Sequence, residues 1–375
     1  MLLIWLLQCG LVLAIVFLNP NHFTTIDSGY YLESATHLLR GEGYTYTEGG
    51  QLVWNGVFPP GYPATISLVS LLTGLSVLWA SKVVNLVAGG IFLFLVNHWF
   101  GDRAVRIGCV LLLGQFVKLW AHTWSEPLFL VILFSWAYLF FNSQRVWLIF
   151  ILGILLILVR YAGVFIIPLS LVVAFLDIRR KEYPNAKSRA LLGLGWLVGF
   201  LSYLYLNHSL SGHWFGGERF GHQETFVHNL SLFAKGLLNE LFLFRDTDFL
   251  YPDSLFIVGA SLQMLLFVYA AKTVKVSSTF AQKPTSYLFL TAGSYLVFLF
   301  LIRSLSPFDP PGYRLLSPFS FLAIIGLLFL ITPRLKNPGT FYRLGVVLLF
   351  ASWLHLLPQA DLEAKLAPVW HLLGL

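Results

Sequence analysis

Residues 146–177 read VWLIFILGILLILVRYAGVFIIPLSLVVAFLD, an almost unbroken apolar stretch with one arginine, Arg160, near its middle. The whole chain has the same character: 57% of its 375 residues are hydrophobic, 11% are charged, and its mean hydropathy is +0.76. Soluble domains carry about 25% charged residues. Only helices and closed barrels satisfy their backbone groups in lipid, and the apolar runs here do not alternate as barrel strands do. The sequence therefore predicts an all-α polytopic membrane protein.

The stretch 146–177 is either one long buried helix or two short helices hinged at Arg160-Tyr161. With the hinge, hydropathy predicts about eleven membrane spans. Cys9 and Cys109 both fall within predicted spans, so neither a disulfide framework nor a cysteine metal site is expected. We interpret residues 2–18 as the first span rather than as a cleavable signal. The predicted spans are 2–18, 76–99, 104–120, 125–141, 146–159, 161–177, 189–208, 254–272, 284–302, 314–332 and 341–357.

The distribution of basic residues favours the hinge. With it, and with a cytoplasmic N-terminus, 14 of the 24 Lys and Arg residues fall in cytoplasmic loops, against three of the 17 acids. Without it, the basic stretch 179–189 would lie outside, against the positive-inside rule. The basic balance thus reflects orientation in a membrane rather than nucleic-acid binding. The cytoplasmic loops are 100–106, 142–146, 178–189, 271–284 and 333–343.

This topology gives one membrane-embedded domain, 1–375, with two large extracytoplasmic loops, 19–75 and 209–253. In the second loop, apolar residues recur at three-to-four spacing and predict an amphipathic helix lying in the membrane interface. Four histidines there lack the spacing of metal ligands. The apolar set is Phe226, Leu230, Phe233, Leu237, Leu241 and Phe244; the histidines are His208, His213, His222 and His228.

The first outer loop holds IDSGYYLESATHLLRGEGYTYTEGGQLVWNGVFPPGYP, residues 26–63. Asp27 precedes a helix-like stretch, residues 28–40. It is either the N-cap of that helix or a general base that takes a proton from an acceptor hydroxyl or amine. The turn FPPGYP (58–63) starts the next helix. We assign positioning of donor or acceptor to Glu33, His37 and Arg40, which share a helix face, and to Tyr62.

Glu126 lies in the second outer loop, HTWSEP (122–127). Its carboxylate either complements the positive end of a helix that starts at Pro127 or acts beside Asp27. As a functional residue it would orient the acceptor or, with Asp27, bind a divalent metal. The one cofactor that the sequence suggests is a divalent metal at these two acids.

Three arginines fall at the predicted outer membrane edge: Arg160, Arg303 and Arg314. Each alone is explained by a side chain that reaches the headgroup region. Together they predict binding of a phosphate at that depth, because guanidinium groups match phosphate oxygens. Lys82 and Lys118 lie within or near spans, where a charge is costly, and are expected to face a polar cavity.

The chain has no P-loop, dinucleotide fingerprint, serine elbow or zinc signature. This absence favours chemistry on a preactivated, membrane-borne donor. The alternative is a carrier or flippase for lipid-linked sugars, although no repeat symmetry of the kind common in transporters is evident.

Five motifs occur in order along the chain: IDSGYYLESA (26–35), FPPGYP (58–63), WSEPLFL (124–130), VRYAGVFIIP (159–168) and GYRLLSP (312–318). Together they resemble those of the GT-C-fold glycosyltransferases, in the branch of protein O-mannosyltransferases and lipid A aminoarabinose transferases (family 39-like).

The resemblance implies a GT-C-like helical bundle with extracytoplasmic juxtamembrane helices. It implies an outer active site in a prokaryotic plasma membrane, a polyprenyl-phosphate sugar donor and inversion at the anomeric carbon. By position, Asp27 and Glu126 match the family's acids. Ser28 replaces a second acid that many relatives carry, so a paired-carboxylate role is not carried over.

Overall fold

Most of the described chain is helical, as long apolar segments require in lipid. The computed structural model describes residues 1–216, 224–240, 283–306, 308–331 and 338–353, with six isolated positions, 257, 261, 264, 265, 268 and 356. The predicted span 254–272 therefore lies outside the described ranges apart from those isolated positions. Leu241 and Phe244 of the predicted interfacial helix, and His222, also lie outside.

The described helices are numbered in chain order, and two short strands lie between the second and third. The helices are α1 (Leu2–Leu18), α2 (Ile26–Arg40), α3 (Gly61–Thr73), α4 (Val77–Phe100), α5 (Ala104–Gly108), α6 (Gly114–Ala121), α7 (Glu126–Asn142), α8 (Val146–Val159), α9 (Ile166–Arg179), α10 (Tyr183–Ser211), α11 (Phe226–Glu240), α12 (Lys283–Leu305), α13 (Tyr313–Ile331) and α14 (Pro338–Trp353); the strands are β1 (Thr45–Glu48) and β2 (Gln51–Trp54).

Within the described residues, four continuous stretches are long and apolar enough to span a membrane, and α6 with α7 forms a fifth when taken together. Other predicted spans coincide with shorter apolar helices, among them α1, α8 and most of α13. The chain is thus a helical polytopic membrane protein, and the count of eleven spans remains a prediction. The four stretches are Val77–Leu112, Tyr161–Arg179, Tyr183–Ser211 and Pro284–Leu305.

The hinge predicted at Arg160-Tyr161 is present. Helix α8 ends at Val159, Arg160 has extended backbone dihedrals, and a 3₁₀ turn, Tyr161–Phe165, leads into α9. Arg160 is therefore at a break between two short helices rather than in the middle of one long helix. Helix α9 then pairs closely with α10, and α12 pairs with α13.

The predicted span 104–120 is wrong as one continuous helix. The chain forms α5, a 3₁₀ turn at Cys109–Leu112, and the short helix α6 instead. A second break follows at residues 122–125, where α6 and α7 meet with a bend of 118°. This break interrupts the helical hydrogen-bond ladder among buried residues, so the freed backbone groups need other partners.

Two side chains from α4 supply those partners. Lys82 Nζ donates to Ala121 O at 2.6 Å and to Thr123 Oγ1 at 2.9 Å. Asn85 Nδ2 donates to Trp120 O at 3.1 Å and His122 O at 2.7 Å. The expectation that Lys82 faces a polar cavity is thus replaced by a contact with the end of a broken helix, where a cation also complements the helix dipole.

The chain between α1 and α4 forms a layer of short elements. Helix α2 is followed by a β-hairpin in which Thr45 pairs with Trp54 and Glu48 with Gln51. Gly49 and Gly50 make the turn, both with positive φ, as a two-residue hairpin loop of this twist requires. Gly61 begins α3 against the end of α8, where an added Cβ would lie 2.7 Å from Leu158 O.

Helix α11 is the described part of the predicted interfacial helix. Phe226 and Leu230 are exposed, whereas Phe233 is buried and Leu237 packs against the core. At its end, Glu240 is buried and accepts hydrogen bonds from Gln115 and Ser320. The helix therefore packs on the bundle along part of its apolar face and leaves the rest uncovered.

Lys82→Met should destabilise the folded protein by about 2 kcal/mol or more, because it leaves the Ala121 carbonyl buried without its donor. The measurement is the thermal unfolding midpoint of the purified protein in detergent. The matched control is Lys187→Met, which removes an exposed lysine. Equal midpoints for the two variants would contradict the assigned role of Lys82.

Candidate functional site

The break between α6 and α7 brings a short buried segment, residues 122–125, to one end of the bundle. All four residues are at most 8% exposed, so the expected outer loop is in fact buried. Helix α7 starts at Glu126 with Pro127 in its first turn. The Glu126 carboxylate thus lies at the positive end of a helix, and its side chain is 1% exposed.

Helix α2 presents Asp27 beside this segment. The N-cap of α2 is Thr25, whose hydroxyl accepts from Ser28 N while Ser28 Oγ accepts from Thr25 N. The alternative that Asp27 is the N-cap of α2 is therefore wrong, because the reciprocal hydrogen bonds between Thr25 and Ser28 already satisfy this helix end. Ser28 Oγ also donates to Thr123 O at 3.0 Å, which ties α2 to the break.

Arg314, in the first turn of α13, joins the two acids. Its Nε donates to Glu126 Oε1 at 2.5 Å, and its Nη1 is paired with Asp27 Oδ2. Arg160 Nη1 is paired with the same Glu126 oxygen and donates to Ser125 Oγ at 3.2 Å. We call Asp27, Glu126, Arg160 and Arg314 the charged cluster; its formal charges sum to zero.

The members of the charged cluster differ in their access to solvent. The Glu126 side chain is 1% exposed, Arg160 13%, Arg314 20% and Asp27 31%. Glu126 is therefore the most buried member of the charged cluster, and Asp27 is the most accessible one. Glu126 Oε2 is buried and has no hydrogen-bond partner among the described residues, so the arginine contacts all fall on the other oxygen.

Trp124 forms a platform under Arg314. The guanidinium carbon of Arg314 lies 4.4 Å from the Trp124 ring centroid, and the His122 ring stacks on the same indole with centroids 3.6 Å apart. Trp124 Nε1 donates to Thr25 Oγ1 at 2.9 Å. One indole thus fixes the plane of a guanidinium and contacts the cap of the helix that carries Asp27.

Tyr31 lines the same site from α2. Its hydroxyl is 3.2 Å from Ser125 Oγ, and its ring packs on Tyr62. Burial raises the pKa of Tyr31 to about 12, so its hydroxyl keeps its proton at neutral pH. The residues that sequence reasoning did not assign are Trp124, Ser125 and Tyr31. The sequence feature that could have identified them is their position beside Glu126 in the motif WSEP and close to Asp27 in the motif IDSGYY.

The structure does not bring Arg303 into the charged cluster. Its Nη2 donates to Glu224 Oε1 at 2.9 Å and its Nη1 to Asn229 Oδ1 at 2.6 Å, while Nε donates to Phe308 O at 3.1 Å. The hydrogen bond from Arg303 lowers the pKa of Glu224. Arg303 therefore joins the start of α11 to the chain that leads into α13.

No hydrogen bond or ion pair among the described residues joins the four expected positioning residues to the charged cluster. Glu33 Oε1 accepts from Thr47 N at 2.8 Å, and His37, 3.9 Å from Glu33, contacts Thr45, so both connect α2 to the hairpin. Arg40 is exposed. Tyr62 is fully buried and its hydroxyl donates to Asn85 Oδ1 at 3.1 Å.

A divalent metal has little support in this geometry. Across the part of the chain that is described, no group of three or more His, Cys, Asp or Glu side chains is placed to hold an ion. Asp27 and Glu126 are bridged by Arg314. A metal held by these two acids would have to displace a guanidinium group.

Comparison with known proteins bears on the fold. ArnT from Cupriavidus metallidurans bound to undecaprenyl phosphate is similar to this chain with a TM-score of 0.58 and 16% identity, over 91% of this chain and 62% of ArnT. Apo ArnT gives 0.53 and 18%, over 90% and 61%. The chain thus spans about three fifths of the length of ArnT. No protein-family profile and no curated sequence matches it. The likeness confirms the predicted GT-C-like helical membrane fold without distinguishing a branch.

The unequal burial of the two acids predicts unequal effects on stability. Glu126→Gln should destabilise the protein by about 3–5 kcal/mol, because it leaves two largely buried guanidinium groups without their shared carboxylate. Asp27→Asn should cost about 1 kcal/mol or less, because the Asp27 carboxylate is 31% exposed and water screens its ion pair. Thermal unfolding of both variants in one detergent checks the difference, and comparable losses would contradict it.

Proposed function

We propose that this chain is a membrane glycosyltransferase. It moves a hexosyl or pentosyl group, with inversion, from a polyprenyl-phosphate donor to an extracytoplasmic lipid, glycan or protein acceptor. The observation that carries the proposal is the charged cluster, in which two guanidinium groups lie beside a partly exposed carboxylate. A fold similar to that of ArnT, which has been solved with undecaprenyl phosphate bound, supports a lipid phosphate as the ligand.

Arg314 and Arg160 are the proposed ligands of the donor phosphate. Both side chains are largely buried and both are paired with a buried carboxylate, so their guanidinium groups are oriented before any ligand arrives. Such fixed donors stabilise charge that develops on a leaving group. We propose that Arg303 instead holds α11 in place, since its donors are taken by Glu224, Asn229 and a backbone carbonyl.

Asp27 is the proposed general base. The acceptor oxygen attacks the anomeric carbon from the face opposite the phosphate, and the bond from that carbon to the phosphate oxygen breaks. The polyprenyl phosphate leaves with the bonding electron pair, and the acceptor proton passes to Asp27. A phosphate that binds Arg314 competes with Asp27 for the same guanidinium, so donor binding would free the carboxylate for this transfer.

Glu126 is the proposed positioning residue for both arginines. At 1% side-chain exposure it has no route to a bulky acceptor. Glu33, His37, Arg40 and Tyr62 remain proposals for acceptor or donor positioning through the placement of α2 and its hairpin. The proposed site lies on the extracytoplasmic side and the N-terminus on the cytoplasmic side of a prokaryotic plasma membrane, as the loop charges indicate.

Asp27→Asn should abolish sugar transfer while the protein stays folded, because an amide cannot accept the acceptor proton. Turnover is followed by sugar release from labelled polyprenyl-phosphate sugars with envelope extracts as acceptors. The matched control is Asp102→Asn, because Asp102 is an exposed acid that follows the C-terminal end of α4.

Equal turnover by Asp27→Asn and wild type would remove Asp27 from the chemistry. Donor-dependent binding without transfer, accompanied by movement of lipid-linked sugar across vesicles, would favour the carrier alternative.

Arg314→Gln and Arg303→Gln should fail in different ways. Arg314→Gln should reduce turnover about 100–1000-fold, by analogy with the loss of a fixed oxyanion donor. Arg303→Gln should lower the unfolding temperature while turnover per folded molecule stays within about threefold of wild type. Kinetics normalised to the folded fraction check this. A large loss of turnover in folded Arg303→Gln would return Arg303 to the phosphate site.

A further inference from the structure

A second polar site lies at the end of the bundle opposite the charged cluster. It is a cavity of about 460 Å³ between the ends of α7 and α9 and the starts of α8, α10 and α12. The 17 residues of α7 separate it from Glu126, a distance of ~25 Å along a helix. Its volume falls within the range of small-molecule sites.

Two arginines and two acids line the cavity. The arginines are Arg180 and Arg189, and the acids are Asp177 and Glu182. Arg189 is paired with Asp177, which is 1% exposed, and its guanidinium lies over the rings of Phe140 and Phe141. The buried acid is therefore already neutralised.

Arg180 is exposed and forms no side-chain hydrogen bond or ion pair with another residue of the described part. The surrounding segment, residues 177–189, carries five basic and two acidic residues, a net charge of 5 − 2 = +3. The field near Arg180 thus favours an anion.

Tyr287 provides an independent sign of a ligand. It is 3% exposed, lines the cavity, and stacks on Phe141 with ring centroids 5.5 Å apart. Its hydroxyl is buried and forms no hydrogen bond of good geometry among the described residues, although the side chain of Asn142, which also lines the cavity, lies near it. Buried hydroxyl groups are costly unless they are hydrogen-bonded, so a ligand oxygen here would satisfy this donor.

Part of the cavity wall is apolar. Ile149, Val173 and Leu192 are buried side chains that line it, whereas Arg180 is exposed. A ligand that fits has a charged head and an apolar tail. This combination distinguishes a lipid from a free phosphate ester, which would gain nothing from the apolar wall.

We propose that this cavity binds the phosphate headgroup of a membrane lipid, in the leaflet on the side of the basic loops, with Arg180 and Tyr287 as donors to the phosphate. The site is separate from the charged cluster, and it stands whether or not the chain is a glycosyltransferase.

The test titrates delipidated full-length protein in detergent with dihexanoyl phosphatidylglycerol and reads binding by native mass spectrometry. Arg180→Gln should weaken the Kd about tenfold, by loss of a charged hydrogen bond to phosphate. Tyr287→Phe should weaken it about threefold to tenfold and should fold, since the lost hydroxyl makes no hydrogen bond of good geometry with the described residues. The matched control is Arg179→Gln, because Arg179 lies over Phe175 outside the cavity and its loss changes the loop charge equally.

Three results would overturn the proposal. The first is equal binding by Arg180→Gln, Tyr287→Phe and Arg179→Gln. The second is binding of sn-glycerol 3-phosphate as tight as that of the lipid, which would make the ligand a soluble phosphate ester. The third is loss of binding in Arg314→Gln, which would place the lipid at the charged cluster.

Discussion

One buried carboxylate organises the site. Glu126 is almost inaccessible to water, and a buried charge is tolerated only when it is paired and hydrogen-bonded. Its partners, Arg160 and Arg314, come from the hinge after α8 and from the start of α13. These two segments are about 150 residues apart in the sequence. The packing of helices that are far apart in sequence therefore has to bring both arginines to one oxygen, and removing that oxygen affects both at once.

Glu126 can occupy this place only because the helix that precedes it is broken. The break exposes carbonyl groups inside the bundle, and Lys82 and Asn85 bind them. A lysine in a membrane helix is costly by itself, but here its charge complements a helix C-terminus. The two polar side chains of α4 thus stabilise the backbone geometry that directs Trp124, Ser125 and Glu126 toward α2 and α13.

Sequence reasoning reached the parts of this arrangement that leave a local or statistical signal. Loop charge identified the hinge at Arg160, helical spacing identified α2, and the motifs located Asp27 and Glu126. It missed the break within 104–120, because hydropathy averaged over a window does not register a change of backbone path between equally apolar residues. It grouped Arg303 with the other arginines by depth alone. Residues at the same depth in the membrane can lie on different sides of the helix bundle. Arg303 lies beside Glu224 and Asn229.

The difference in exposure between Asp27 and Glu126 gives the two acids different chemical capacities. A carboxylate with one oxygen shared by two guanidinium groups at 1% exposure cannot approach a substrate, but it fixes the two groups that we propose bind the donor phosphate. A carboxylate that is 31% exposed, held by one guanidinium, can exchange that partner for another. Because the cluster is formally neutral, a phosphate bound there as proposed would add a negative charge and favour the release of one contact between an acid and an arginine. Asp27, the more accessible of the two, is the acid that can release its contact. The same pairing that holds the resting site together would then release a base when a phosphate binds.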